Sequence, residues 1–398
     1  MISRTIRENI YALGAQHWDR RLFDALIPLP DGTSYNAYLI HGSEKTALLD
    51  TVDPSQVDTL LEQLREVEHI DYIVSHHAEQ DHAGAIPHVL EKYPQAKVIA
   101  SPKGKTLLID HLCIDDERFI TVEDDERITL GNRTLQFVHT PWVHWPETIC
   151  TYVPEERMLF TCDFFGSHIA STDLYVTDRA RVYEAAKRYY AEIMMPFRGT
   201  IERNIEKLSK FAIDIIAPSH GSIYGDPAFI MGAYKDWIAE KPKNLAVIPY
   251  TSMHGSTKTM VEHLTSALAK RGVGVRQFEL SVTDLGKLAI SLVDAATIII
   301  GTPTVHVAPH PAIFYASYLA NALRPKLKYA SIIGSYGWSS KAVERIAGLI
   351  PNLKVELFEP VLCKGYPREN TFEKLDTLAE GVAEKHRFGG YADIMGVC

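Results

Sequence analysis

The sequence predicts a protein of two domains, of mixed α/β and α+β class. Its 398 residues exceed the size at which a single hydrophobic core keeps growing. Up to about residue 240, short strand-like runs alternate with amphipathic segments. The later pattern is the regular strand–helix alternation of a doubly wound parallel sheet. We therefore predict a first domain at residues 1–243 and a second at residues 244–398.

The domain boundary is predicted from two adjacent segments. Residues 230–238 carry a helical apolar stripe that includes Tyr234 and Trp237, which predicts the last helix of the first domain. Residues 239–243 are polar and contain Pro242, which discourages continuation of a helix. This second segment is the expected linker.

The first domain contains a dense group of metal-ligand residue types. Residues 72–74 are apolar and predict a buried strand, and four potential ligands follow it within six residues: His77, Glu79, Asp81 and His82. Strand ends are rigid supports for functional loops. In an extended chain, residues 77, 79 and 81 would point to one side, with His82 following as the chain turns.

Three further ligand candidates lie downstream, namely His144, Asp163 and His220. Each ends or closely follows an apolar, strand-like run. The first cluster alone has a plainer interpretation as a solvated loop, but the repeated setting favours a metal site. Three carboxylates and four imidazoles suit two metal ions that keep open positions for a small substrate.

The order of these ligands resembles that of a known superfamily. H-x-[HE]-x-D-H, followed by His, Asp and His, is similar to the pattern of the metallo-β-lactamase superfamily, which implies an αββα sandwich for the first domain. Glu79 departs from the zinc hydrolases of that superfamily, which usually carry a second His there. A carboxylate at this position favours iron or manganese over zinc. With this variant, the chain resembles the flavodiiron proteins over about residues 1–390.

This resemblance implies two iron ions per chain, bridged by Asp163. The other ligands divide into two sets of three, which are His77, Glu79 and His144 for one iron, and Asp81, His82 and His220 for the other.

Three neighbouring residues are interpreted without a ligand role. Asp50, at the end of the apolar run 47–49, is expected to orient ligands. His76 alternates to the face opposite residue 77, and we expect a packing or orienting role. For His168, a place in the substrate pocket and a structural role both stay open.

The second domain begins with a strand–loop–helix unit. The apolar runs 245–250, 275–280, 297–301 and 329–334 predict strands, and residues 260, 261, 264 and 268 form a helix face. Residues 251–258, between the first strand and this helix, form a hydroxyl-rich loop. Such a loop offers backbone N–H groups and a positive dipole end to a phosphate. The sequence has no G-x-x-x-x-G-K-[ST] and no G-x-G-x-x-G, so neither a nucleoside triphosphate nor a dinucleotide is expected.

Three loops of this domain resemble the FMN-binding segments of flavodoxin-like domains. They follow successive strands, where open α/β sheets bind ligands. The predicted contacts are Ser252, Met253, His254, Gly255, Ser256 and Thr257 in the first loop, Pro303, Thr304, Val305 and His306 in the second, and Ser335, Tyr336, Gly337 and Trp338 in the third. Tyr336 or Trp338 is expected to stack on the flavin. The resemblance implies FMN and not FAD, because nothing extra is present to bind an adenylate.

The flavodiiron resemblance implies an oxidoreductase. Electrons from an external donor, a rubredoxin or a reduced deazaflavin, would pass through FMN to the diiron site, which reduces dioxygen to water, nitric oxide to nitrous oxide, or both. Relatives with this two-domain build often act as oxygen scavengers, which favours dioxygen. Family members are head-to-tail dimers in which one chain's flavin faces the other chain's diiron site, so we expect a homodimer or a homotetramer.

Two other function classes fit the sequence less well. A zinc-dependent hydrolase would use a metal-bound hydroxide, but Glu79 and the flavodoxin-like second domain both count against it. A non-enzymatic electron carrier or gas sensor would be expected to lack a metal ligand, and no ligand position of the pattern is missing.

Composition fits a large enzyme of the cytoplasm. Hydrophobic content of 46% and charged content of 23% are ordinary for globular proteins. No apolar run approaches membrane-spanning length, and the first residues lack a signal-peptide pattern, so we expect no membrane partner. A net charge of −9 without a Lys/Arg cluster argues against nucleic acid. The five scattered cysteines, never spaced C-x-x-C, argue against a disulfide framework and an appended rubredoxin-like site.

Overall fold

In the computed structural model, which describes residues 4–393, the chain divides into two units. The first comprises Phe197–Ile238 and the chain up to Tyr190, and the second comprises Ala191–Pro196 and the chain from Ala239 onward. The predicted boundary after residue 243 stays a prediction. Lys243, assigned to the linker, is the first residue of a strand.

Two sheets form the first unit, and we call them the first and second sheets. In spatial order, the first sheet contains Arg4–Arg7, Ile10–His17, Thr33–His41, Thr46–Leu49, Tyr72–Val74, Lys97–Ala100 and Phe119–Thr121. The second sheet contains Arg127–Thr129, Thr134–His139, Ile149–Val153, Met158–Cys162 and Ile215–Pro218. A small hairpin pairs Leu22–Phe23 with Ile27–Pro28.

Each of the two sheets buries one of its faces against the other sheet. Ile40, Leu49 and Ile99 of the first sheet belong to the same hydrophobic core as Phe137 and Phe160 of the second. Alternating strand residues put these side chains on one face, so the buried apolar area holds the sheets together.

Helices pack outside the sheets, which completes the αββα sandwich predicted from the family resemblance. The α-helices of the first unit are Val57–Gln63, Gln80–Ala83, Ile86–Lys92, Pro102–Leu112, Arg179–Tyr189, Arg198–Leu208 and Pro227–Ile238. Short 3-10 turns occupy Pro54–Gln56 and Asp116–Arg118 in this unit. The π turn Tyr190–Met194 and the 3-10 turn Met195–Phe197 include the residues assigned to the second unit.

The second unit has a parallel sheet, the third sheet, with the strand order 2-1-3-4-5 of flavodoxin-like folds. In spatial order its strands are Gly274–Glu279, Lys243–Tyr250, Ala295–Val305, Tyr329–Tyr336 and Glu356–Leu357. Val361–Lys364 also pairs with the fourth strand, and Ala308–Pro309 pairs with the third. The helices are Ser256–Lys270, Leu285–Leu292, Pro311–Leu323, Ala342–Ala347 and Glu369–Gly389.

The sequence predictions for this unit are confirmed, with small shifts at strand ends. All four predicted strands are present, and the third extends to Val305 because the chain stays paired beyond residue 301. The predicted helix stripe at residues 260, 261, 264 and 268 is fully buried. Between residues 4 and 393, no helix is both long enough and apolar enough to cross a bilayer.

Parallel pairing brings the functional loops together within the first unit. Thr46–Leu49 and Tyr72–Val74 run parallel, as do Met158–Cys162 and Ile215–Pro218. The loops that follow parallel strands leave from the same edge of a sheet, so each pair delivers two loops to one place.

Candidate metal centre

All seven predicted metal ligands converge in the first unit. They form two groups, and within each group the ligand atoms lie within 4.8 Å of one another. One group is His77, Glu79, His144 and Asp163, and the other is Asp81, His82 and His220. We call His77 and His144 the first histidine pair, and His82 and His220 the second.

The carboxylate of Asp163 lies between the two histidine pairs. Its Oδ2 atom is 3.5 Å from His77 Nε2 and 3.4 Å from His144 Nε2. Its Oδ1 atom is 2.8 Å from His82 Nε2 and 3.3 Å from His220 Nε2. One oxygen therefore faces each pair, as a bridging carboxylate requires.

Each histidine pair also has a carboxylate of its own. Glu79 Oε2 lies 3.1 Å from Nε2 of both histidines in the first pair. Asp81 Oδ1 lies 3.3 Å from His82 Nε2, and Asp81 Oδ2 lies 3.2 Å from His220 Nε2. The two sets thus match in composition, with two imidazoles and one carboxylate each.

The local chain path differs from the predicted one at Asp81. Glu79 has extended backbone angles, but a helical turn, Gln80–Ala83, begins at the next residue. The expectation that residues 77, 79 and 81 share one side of an extended chain is therefore wrong at Asp81. The turn carries Asp81 and His82 to the second group and leaves Glu79 with the first.

The charges of the group are mutually stabilised. Burial alone would raise the pKa of Asp163, but the imidazoles around it, His82 first, hold that pKa well below its ordinary value. Burial would lower the pKa of His144, yet Asp163 and Glu79 raise it to about 9. Against burial, Asp163 and Asp81 raise the pKa of His220 to about 10. A metal that binds here must displace these imidazole protons.

The arrangement of donor atoms fits metal ions better than it fits hydrogen bonds. Asp81 and His82 are 4% and 1% exposed, yet both oxygens of Asp81 and both ring nitrogens of His82 lack a hydrogen-bond partner among residues 4–393. His82 Nε2 is close to Asp163 Oδ1 but does not meet hydrogen-bond geometry. Buried polar atoms without partners are costly, and metal coordination would satisfy these.

Asp50 and His76 form a separate network beside the ligands. His76 Nδ1 lies 2.7 Å from Asp50 Oδ2, its Nε2 lies 2.7 Å from Thr151 Oγ1, and its backbone N–H donates to Asp50 Oδ1. His76 therefore faces away from residue 77. Because its backbone is tied to Asp50, the start of the ligand loop is fixed.

His168 packs against the ligands. Its Nδ1 lies 2.9 Å from Thr33 Oγ1, and its ring centroid is 4.7 Å from that of His220 and 4.9 Å from that of Phe23. Burial, and then the neighbouring His220, lower its pKa well below the ordinary value, so the ring is neutral.

A cavity of about 520 Å³ reaches the carboxylates Glu79 and Asp81. Its wall includes Arg20, Phe23 and Asp24 but not residue 168. Burial, and then the charges of Glu79 and Asp81, raise the pKa of Asp24 to about 6. The cavity is the route by which a small molecule can reach the group.

In the second unit, the three predicted loops line one cavity of about 190 Å³. The predicted residues along its wall are Ser252, Met253, His254, Ser256, Thr257, Pro303, Thr304, Ser335, Tyr336 and Gly337. Gly255, Val305, His306 and Trp338 are not part of this wall, and Trp338 is 81% exposed. Of the two aromatic residues expected to stack on a flavin, Tyr336 is the one at the cavity.

The first of these loops fits a phosphate group. Gly255 has φ +87° and stands directly before the helix Ser256–Lys270, whose N-terminus offers unpaired backbone N–H groups. The hydroxyl of Thr251, at the strand end, is buried and lacks a hydrogen-bond partner among the described residues. Thr257 Oγ1 lies 3.3 Å from Ser335 Oγ, which links the first loop to the third.

Comparisons with known proteins identify the family to which this chain belongs. A sequence model described as ODP family beta lactamase matches residues 33–221. The nitric oxide reductase of Moorella thermoacetica is 36% identical over 391 residues, which covers 96% of this chain and 98% of the relative. The chain belongs to the flavodiiron proteins.

Other relatives of this flavodiiron protein carry related names. The flavo-diiron protein FprA2 of Clostridium acetobutylicum is 29% identical over 394 residues, covering 95% of this chain and 98% of the relative. The structure of rubredoxin oxygen:oxidoreductase from Desulfovibrio gigas superposes with a TM-score of 0.94 at 30% identity, covering 98% of this chain and 100% of that one. This flavodiiron protein is accordingly an oxidoreductase, and the hydrolase alternative is not favoured.

Three residues at the two sites have no signal in the sequence. Glu147 is 3% exposed, and its Oε1 lies 2.7 Å from His77 Nδ1. Tyr189, the last residue of the helix Arg179–Tyr189, lies beside Asp163, and burial followed by that charge raises its pKa well above the ordinary value. Gly365 lines the cavity of the second unit. Each reaches its site through tertiary packing, so no local pattern marks it.

Proposed function

We propose that this flavodiiron protein reduces dioxygen and nitric oxide at a diiron centre supplied with electrons by FMN. The observation that carries the proposal is the division of the Asp163 carboxylate between the two histidine pairs. Each oxygen faces one pair, and each pair has its own carboxylate. Such a matched set suits two ions of the same kind held side by side.

Each ligand set would hold one iron, and Asp163 would belong to both. When bound, the two irons and the flavin would supply the electron transfer that amino-acid side chains do not provide. Glu79 supports iron over zinc, because a carboxylate replaces the imidazole typical of the hydrolases. The buried position of the ligands, with Asp163 1% exposed, keeps bulk water from the reacting molecules.

The cavity beside the centre supports a small substrate whose reduction consumes protons. Asp24 stands in its wall, and a pKa of about 6 lets its carboxyl take up and release a proton in mildly acidic to neutral solution. Arg20 in the same wall is held in place, because its Nη1 donates to Tyr35 Oη at 2.7 Å and to Asp53 Oδ2 at 2.8 Å. The wall therefore keeps a fixed positive charge near the two metal carboxylates.

In the second unit, the three-loop cavity would hold FMN, with the phosphate at residues 251–257. Two observations support this placement. The buried hydroxyl of Thr251 has no hydrogen-bond partner among the described residues, and Gly255 has a left-handed backbone conformation with free space around its Cα. The electron donor would be external, a rubredoxin or a reduced deazaflavin. Transfer from flavin to iron would take place between two chains of a head-to-tail homodimer, alone or within a homotetramer.

Dioxygen is the proposed preferred substrate, and nitric oxide is the second candidate. The name of the Moorella relative favours nitric oxide, whereas that of the Desulfovibrio structure favours dioxygen. Both molecules are small enough for the cavity, and the same ligands suit both.

The test is a joint measurement of cofactors and turnover. Protein from iron-replete cells should contain two irons and one FMN per chain by elemental analysis and flavin absorbance. After anaerobic reduction with excess donor, dioxygen should be consumed faster than nitric oxide. Two zinc ions and no iron would overturn the redox proposal, whereas faster nitric oxide turnover would overturn only the preference.

A further inference from the structure

The two proposed iron positions match in their direct ligands but differ in what lies behind them. Each has two imidazoles, one carboxylate and one oxygen of Asp163. An imidazole that binds a metal through Nε2 has its Nδ1–H free to donate, and the acceptor of that hydrogen bond adjusts the strength of the ligand.

Behind the first position stands a buried carboxylate. Glu147 Oε1 lies 2.7 Å from His77 Nδ1 and accepts a hydrogen bond from the backbone N–H of Ala78 at 3.0 Å. Glu147 is 3% exposed, and its Oε2 has no hydrogen-bond partner within residues 4–393. Its charge is therefore directed at His77 and is hardly screened by water.

Glu147 is also firmly placed. Its backbone carbonyl accepts a hydrogen bond from Ser101 Oγ at 2.7 Å, and it stands two residues before the strand Ile149–Val153. The carboxylate thus holds both the ring of His77 and the backbone between residues 77 and 79.

Behind the second position, no carboxylate among the described residues accepts a hydrogen bond from the Nδ1 atom of a ligand histidine. His220 Nδ1 donates to the backbone carbonyl of Ser34 at 2.6 Å, and His82 Nδ1 is buried without a hydrogen-bond partner. The buried Asp50 is nearby, but its side chain binds His76 and not a ligand ring. A carbonyl carries a partial charge, whereas Glu147 carries a full one.

We propose that Glu147 is a positioning residue that makes the two metal positions unequal, an inference that rests on the proposed diiron function. By accepting the Nδ1 proton of His77, it fixes the tautomer whose Nε2 lone pair faces the metal. Its negative charge makes His77 the stronger donor. The position of His77, Glu79 and His144 therefore binds a metal ion more tightly and favours the higher oxidation state there.

The test determines which of the two positions is occupied when only one metal ion is supplied for every two chains. Metal-free protein is crystallised with half an equivalent of Zn(II) per chain, and anomalous scattering gives the occupancy of each position. In the unaltered protein, the zinc should occupy the His77 position. Glu147→Gln keeps the size and an acceptor oxygen but removes the charge, and affinity at that position should fall about 10- to 100-fold. Glu156→Gln, which alters a carboxylate paired with Arg133 at 2.8 Å, is the matched control and should change nothing.

A second readout uses the iron-loaded protein. The unequal positions should stabilise a half-reduced state with one ferric and one ferrous ion, visible by electron paramagnetic resonance. In Glu147→Gln, the comproportionation constant of that state should fall on the order of 10-fold, a change that a merely structural residue would not produce.

The outcomes separate this inference from the proposed function. Equal zinc occupancy in the unaltered protein would overturn the inequality, and this measurement does not depend on whether any variant folds. An unchanged distribution in Glu147→Gln would overturn the role of Glu147. Absence of zinc from both positions would instead count against the metal centre itself.

Discussion

The Oδ1 atom of Asp163 lies 2.8 Å from His82 Nε2, while Oδ2 of the same carboxylate faces the other histidine pair. This one side chain therefore neutralises imidazoles on both sides. Both proposed metal positions would lose a ligand if Asp163 were removed, whereas removal of Glu79 or Asp81 would affect one position directly.

Asp163→Ala should lower iron content from two per chain to below one and reduce oxidase turnover at least about 10-fold, because each position loses an oxygen ligand. FMN should stay bound, since its proposed site lies in the second unit. Iron is measured by elemental analysis and flavin by absorbance. Asp124→Ala is the control, because that partly exposed carboxylate pairs with Lys207 and not with a ligand. Two irons retained in Asp163→Ala would contradict the bridging role.

Metal-free protein should lose stability progressively as the pH rises from about 6.5 to about 10. The pKa of His144 is about 9 against an ordinary 6.5, so its ion pairs stabilise the fold fully below pH 6.5 and fail as the pH rises through 9. The ion pairs of His220, whose pKa is about 10, are lost at a somewhat higher pH. One pKa unit is worth about 1.4 kcal/mol, so the loss from His144 is on the order of 3 kcal/mol.

Thermal unfolding of the metal-free and metal-loaded protein across this pH range checks the prediction. The loaded protein has already released these imidazole protons, so its Tm should change less. Parallel decline of the two forms would show that other groups control alkaline stability.

Gly255→Ala should weaken FMN binding. Both Gly255 and Gly272 have a positive φ, at +87° and +77°, and at neither would a Cβ meet an atom within 4 Å. An alanine in this left-handed backbone conformation costs about 1–2 kcal/mol of strain. Gly272→Ala is therefore a matched control with the same cost, away from the cavity. Only Gly255→Ala should raise the Kd for FMN, measured by quenching of flavin fluorescence. An equal loss of affinity in both variants would mean that the loop has no specific role.

A mixed dimer should regain activity that both parents have largely lost, when it is assayed at an FMN concentration too low to fill the weakened site of Gly255→Ala. One subunit carries Asp163→Ala and keeps FMN, and the other carries Gly255→Ala and keeps iron. In a head-to-tail dimer, one flavin then faces one intact metal centre, so about half the activity should return. Separately tagged subunits, purified in tandem, allow the measurement. Full activity in a verified monomer would exclude transfer between chains.

The convergence of the proposed metal ligands could be predicted because these residues follow apolar strand runs. The run at 72–74 is the strand Tyr72–Val74, and Asp163 directly follows the strand Met158–Cys162. The turn Gln80–Ala83 escaped prediction because four residues are too few to show a helical period. Glu147 escaped because its partner is remote in sequence, and their contact depends on how the two sheets dock.

In the second unit, too, some features could be predicted from the sequence and others could not. Strand–helix alternation predicts the sheet and places the three loops at strand ends. The choice between Tyr336 and Trp338 could not be made from sequence, because both are aromatic and only the course of the loop leaves one exposed.

The proposed metal ligands come from two different sheets. Four follow the strand Tyr72–Val74 of the first sheet, and three follow strands of the second. Bound ions would therefore link the two sheets of the sandwich at one end. A ligand that binds only the folded state stabilises it by about 2.7 kcal/mol at a hundred times its Kd. If the proposed iron centre is correct, the metal-free chain would unfold more often and would be degraded sooner when iron is scarce, so iron supply would affect the abundance of this enzyme as well as its activity.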